Sequence, residues 1–88
     1  MFLYKQLYRA MLSAAICAFR KKSRLSQEKL AERLHISTRS FSDLEHGKSC
    51  CSGLTLIFFL ALIPESDSSA LIREFREKIT ELDKLGAA

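Results

Sequence analysis

The sequence predicts an all-α fold, one compact domain of five helices joined by short connections. Three observations lead there. Of 88 residues one is proline and three are glycine, while 48% are hydrophobic, so the turn punctuation that a many-stranded sandwich or barrel needs is missing. Apolar residues recur at helical spacing in separate segments of the chain, which is the period of an amphipathic helix. Each break between those segments is short, as a compact helical domain requires. A chain of this size has room for one core, so residues 1–88 are read as a single domain. Its core spans positions 11–63, and an amphipathic helix follows over 67–85.

The first helix is expected from Leu3 to Lys22, where Leu3, Leu7, Met11, Ala14 and Ala18 form one stripe beside Tyr4, Tyr8, Leu12, Ile16 and Phe19. Ser26 can cap a second helix, Gln27 to Leu34, because a serine oxygen accepts an orphan amide of the first turn and Glu28 suits the positive end of the dipole. After His35 and Ile36, Ser37 caps a third helix, Thr38 to His46, with Phe41 and Leu44 on its buried side. Gly47 supplies the left-handed residue that ends it. Ser52 opens a fourth helix, Gly53 to Leu62, which Pro64 must stop. Ser66 or Asp67 then caps the fifth helix. There Leu71, Ile72, Phe75, Ile79, Leu82 and Leu85 line one face, Arg73, Glu74, Glu77, Lys78 and Glu81 flank it, and Gly86 closes it.

The formal charge of +4 is unevenly placed. Residues 1–48 carry ten Lys/Arg against four Asp/Glu, whereas residues 49–88 carry four against six. A basic face for a polyanion fits this asymmetry, and so does a solvated basic surface with no ligand. Three cysteines, two of them adjacent at Cys50 and Cys51, suit a reducing compartment rather than a disulfide framework. Lys5 and Arg9 precede an apolar run as in a signal peptide, but bulky Ile16 and the following Arg20, Lys21 and Lys22 argue against cleavage and export. Leu54 to Ile63 is apolar but about half of the ~20 residues a bilayer requires, and reads as a buried helix. A cytoplasmic protein with no membrane segment is expected.

The informative segment is Ser26 to Lys48, SQEKLAERLHISTRSFSDLEHGK. Two short helices that cross so that the second can enter a major groove need apolar anchors and one small contact residue. Leu30, Leu34, Ile36, Phe41 and Leu44 supply the anchors, and Ala31 the small residue. Together with Phe19-Arg20, Ser26-Gln27-Glu28 and Glu45-His46-Gly47-Lys48, the segment resembles the lambda-repressor-like helix-turn-helix family of phage repressors, Cro proteins and xenobiotic-response-element regulators. The resemblance covers about Ile16 to Leu62.

The resemblance implies a lambda-repressor-like fold with the helix-turn-helix at helices 2 and 3, and a structural ion pair between Arg20 and Glu45. It places Thr38, Arg39, Ser42 and Asp43 of a recognition helix over 38–46 at base edges in the major groove. Arg39 suits a bidentate contact with guanine, or a phosphate clamp. Asp43 accepts from a cytosine amino group or pairs with Arg39. Gln27, Ser37 and Lys48 are placed at phosphates. Two departures stand out: His35 occupies the turn position where the family commonly has glycine, and Ser49-Cys50-Cys51-Ser52 replaces the usual proline or basic residues. His35, His46, Cys50 and Cys51 match no zinc-finger spacing.

The function expected is a sequence-specific transcriptional regulator, a repressor that binds double-stranded DNA as a homodimer with reading helices about 34 Å apart. The fifth helix or the apolar fourth is its dimer surface, and packing of those residues against the first helix is the other reading. The alternative is an antitoxin or protein-interaction module using the same fold, with a partner on helices 4 and 5. No enzymatic constellation, metal site or cofactor motif is expected.

Overall fold

A computed structural model describes residues 2–86. The described chain is helical and contains no strand. Five helices follow in order: α1 (Phe2–Lys22), α2 (Gln27–Arg33), α3 (Thr38–Glu45), α4 (Gly53–Leu62) and α5 (Glu65–Lys84). The three serine caps form as the sequence indicates. Ser26 Oγ accepts from the Lys29 amide, Ser37 Oγ from Ser40, and Ser52 Oγ from Thr55, with each serine in extended backbone just ahead of its helix.

The start of α5 differs from expectation. Neither Ser66 nor Asp67 caps it: the helix begins at Glu65, directly after Pro64, with no side-chain cap. The Pro64 carbonyl accepts from the Asp67 and Ser68 amides at 2.9 and 3.1 Å. The ring fixes φ near the helical value and the proline has no amide to satisfy, so the chain turns helical at once. Glu65 and Asp67 then sit in the first turn, where the dipole favours them. Helices α2, α3 and α5 each stop one residue short of the sequence boundary, with Leu34, His46 and Leu85 as C-caps.

The ends of α1, α2 and α3 share one device. At the end of α3 the Gly47 amide donates to the Leu44 carbonyl and the Lys48 amide to Asp43, the paired bonds of a Schellman motif. Its left-handed residue is Gly47, at φ 71°. The same pair of bonds closes α2 around His35 (φ 59°) and α1 around Arg24 (φ 57°). His35 thus takes the left-handed conformation that its place in the turn demands. An arginine there is sterically unfavourable, and nothing in the sequence marked Arg24 for it.

The core is built from Leu12 and Ile16 of α1, Leu30, Ala31 and Leu34 at α2, Phe41 and Leu44 of α3, and Phe59 and Ile63 at α4. Leu30, Leu34 and Phe41 are wholly buried. Helix α5 has no buried residue and packs antiparallel to α1, with Tyr8 edge-on to Phe75 at 6.3 Å and the Tyr4 hydroxyl on the Asp83 carboxylate. Phe19 meets Phe59 edge-on at 6.1 Å and joins α4 to the same long helix.

Helix α4 is not the buried element its composition suggested. Thr55 and Phe59 are buried, but Leu54 and Ile57 are 66% and 61% exposed. So small a core covers one face of a ten-residue helix and leaves the other in water. No helix among the described residues is long and apolar enough to cross a membrane.

Candidate nucleic-acid interface

Helices α2 and α3 pack through the anchors named above, with Ala31 at 1% exposure where the two helices need a small residue. Ile36 packs against the rim of that core. With Phe41 and Leu44 inward, the first turn of α3 faces outward: Thr38, Arg39 and Ser40 are exposed. That turn contains no acidic residue. The Arg39 guanidinium therefore adds to the positive end of the helix dipole instead of offsetting it, an arrangement that costs a few tenths of a kcal/mol or more by itself and attracts an anion.

Helix α3 is held at its far end by three side chains. Arg20 Nε donates to Glu45 Oε2 at 2.6 Å, and its Nη2 donates to Oε1 at 3.2 Å. Gln27 Nε2 donates to the same Oε1 at 2.7 Å. Arg20 Nη1 also reaches the Leu25 carbonyl at 3.2 Å, across the turn that joins α1 to α2. One carboxylate thus ties α3 to α1 and α2. Its side chain is 6% exposed and that of Arg20 is 20% exposed. Burial alone pushes the Glu45 carboxyl up, but the hydrogen bonds from Arg20 and Gln27 outweigh it and hold the group below the usual carboxylate range. The same bond to Glu45 raises Arg20.

The expected ion pair is therefore in place, and Gln27 belongs to it. One N–H of the Gln27 amide is spent on Glu45, which leaves its second N–H and its carbonyl oxygen for other partners. The Ser37 hydroxyl is likewise engaged, accepting from the Ser40 amide and donating to Ser40 Oγ at 3.0 Å. Lys48 is exposed just past Gly47. Ser42 and Asp43 lie half-buried one turn beyond Arg39. The His46 ring leans over Ser42, its Nδ1 donating to the Ser42 carbonyl at 2.7 Å. Among the described residues the ion pair within 4.0 Å is Arg20–Glu45, so Asp43 and Arg39 are not paired with each other.

Two further contacts brace the head. The His35 ring lies tilted against Phe58 with centroids 4.5 Å apart, which ties the turn between α2 and α3 to α4. The Tyr8 hydroxyl lies 3.0 Å from Cys51 Sγ, and Arg9 Nε donates to Cys50 Sγ at 3.2 Å, so the loop after α3 rests on α1. Burial pushes both the Tyr8 phenol and the Cys51 thiol up. Periodicity could not reveal these pairs, because each joins residues far apart in sequence. Among the described residues no group of three or more His, Cys, Asp and Glu side chains comes together as metal ligands would. Comparison with protein-family models, with curated proteins and with solved structures found no match.

Proposed function

We propose that this chain is a sequence-specific DNA-binding regulator of lambda-repressor-like architecture, a repressor that inserts α3 into the major groove of double-stranded DNA. The observation that carries the reading is the contrast along α3. Its C-terminal end is fixed by Arg20, Gln27 and Glu45, while its N-terminal turn presents Thr38 and Arg39 to solvent with no acidic side chain in that turn. A reading helix needs this combination of a rigid mount and free donors. Arg39 is the base reader, with Thr38 beside it and Ser42 and Asp43 deeper along the helix. Lys48 and the backbone at Ser37 meet phosphates, and Gln27 acts mainly by positioning Glu45.

Binding as a homodimer through α4, with α5 beside it, matches the exposed apolar side chains Leu54 and Ile57. The same residues favour a second reading, in which these helices hold a different protein, as an antitoxin holds its toxin. Selection from a random duplex library followed by salt titration tests the proposal. Enrichment of a pseudo-palindrome is expected, with log K falling against log salt at a slope near −0.9 per phosphate neutralised. No enriched sequence, or an affinity indifferent to salt, overturns it.

A further inference from the structure

An open groove of about 400 Å³ lies between α1, α4 and α5, lined by Tyr8, Met11, Leu60, Ile72, Phe75 and Arg76 among others. Its polar groups are few, and two are already satisfied. The Tyr8 hydroxyl is turned to Cys51, and Thr80 Oγ1 donates to the Arg76 carbonyl at 2.9 Å. Arg76 is the one charged side chain among the lining residues, and no carboxylate among the described residues lies within 4.0 Å of it. The groove therefore offers an apolar trough with a single free cation.

We propose that this groove is a binding site for an amphipathic carboxylate, a small molecule with an unbranched apolar tail whose carboxylate pairs with Arg76. The size fits, since sites of roughly 300 to 1,000 Å³ with apolar walls and a few polar anchors are what small ligands occupy. Taking a methylene to fill about the ~30 Å³ share of a water molecule, the trough has room for about thirteen carbons, so a ten-carbon acid fits within it. A planar guanidinium matches a carboxylate through two parallel hydrogen bonds. A second copy of the chain fills the trough poorly. A two-fold axis would set groove against groove, concave against concave, and leave the volume empty. The groove's walls also reach the proposed DNA head, because Tyr8 holds Cys51 in the loop after α3.

Titration of the intact, isotopically labelled protein with decanoate, followed by amide NMR, tests the assignment without DNA, so its outcome is independent of the DNA-binding proposal. Saturable one-to-one shifts are expected at Met11, Ile72 and Phe75 and at Cys51, with a Kd on the order of 0.1 mM. Decan-1-ol should bind about tenfold more weakly, and Arg76→Leu should lose that preference while still binding the alcohol. Shortening the tail by two carbons should weaken binding about fifteenfold. Three results would overturn the proposal: no saturable shift up to about thirty times that Kd, equal binding of decanoate and decan-1-ol, or groove signals that move with protein concentration and not with decanoate. The last of these would assign the groove to a second copy.

Discussion

Replacing Arg20 by methionine isolates the group that fixes the C-terminal end of α3. The variant keeps the apolar stem and removes two of the three hydrogen bonds that Glu45 accepts, leaving only the one from Gln27. A carboxylate 6% exposed then stands with its charge uncompensated. Breaking a fully buried pair in this way costs about 3–5 kcal/mol. Because Arg20 is 20% exposed, water can reach part of the vacated space, so about 2–4 kcal/mol is expected. Against a total of about 4–13 kcal/mol for a domain of this length, that loss is large. It should lower Tm by roughly 10–25 °C. Thermal and urea unfolding measure it, and a cycle with Glu45→Gln should show a coupling of about 1–3 kcal/mol between the two positions.

The pH dependence separates this account from simple loss of packing. In the native protein the Glu45 carboxyl lies below its unfolded value of ~4.3. Its contribution to stability is therefore complete above that value and is lost as pH falls through the folded one. In Arg20→Met the pairing is gone, and burial, the largest influence on this carboxyl, pushes it upward. The folded variant then binds the proton more tightly than the unfolded chain, so acidification from about pH 7 toward 5 should narrow the gap to the native protein. Parallel stability profiles for the two proteins, or an unchanged Tm for Glu45→Ala, would refute the reasoning.

Three other outcomes follow from the same structure. Arg39→Ala should leave the unfolding free energy within about 0.5 kcal/mol of native, the residue being exposed; in a selected duplex it should cost about 1–3 kcal/mol and flatten discrimination at one base position, whereas a uniform loss across sequences would make Arg39 a phosphate clamp. Arg24→Gly should stabilise by about 1 kcal/mol, because it relieves a left-handed arginine, while His35→Gly should be nearly neutral, since the relief is offset by loss of the Phe58 contact; urea midpoints at unchanged m-value compare the two. Phe41→Ala, which empties a wholly buried site joining α2 and α3, should cost about 3–5 kcal/mol and lose cooperative unfolding at 37 °C, measured by circular dichroism.

What the sequence made legible was whatever is written locally. Serine caps at 26, 37 and 52 act on amides three residues away, and the amphipathic stripes of α1 and α3 repeat within one or two turns, so both could be read directly. The ion pair of Arg20 and Glu45 spans 25 positions and was legible only through the resemblance, which supplied both ends. Gln27 illustrates the limit. Its place at a helix start suggested phosphate, but the fold turns its amide inward to Glu45, and no local rule states which of two nearby anions a side chain will meet. Arg24 fails for a different reason: the left-handed conformation is imposed by how α1 must end to let Leu25 return under it, a demand of tertiary packing that overrides preference. The exposure of α4 was hidden because periodicity vanishes in a helix that is apolar all round.

Helix α1 is the element on which the two proposed surfaces depend, and it serves them from separate stretches. Arg20 fixes α3 near its C-terminal end, and Tyr8 lines the groove in its first half. At 1.5 Å per residue the twelve-residue separation puts these side chains roughly 18 Å apart, beyond the distance at which substitutions ordinarily couple through direct contact. The core layer between them, Leu12 and Ile16, is packed to 5% and 1% exposure, so the middle of the helix is pinned in the core. Any communication from groove to reading head would then run through the path that leaves the helix, from the Tyr8 hydroxyl to Cys51 and into the loop that closes on Gly47 and Lys48. That loop departs from the repressor pattern by carrying Cys50 and Cys51 where proline or basic residues are usual. Its chemistry suits it less to holding phosphate than to resting on α1, where Tyr8 and Arg9 receive it.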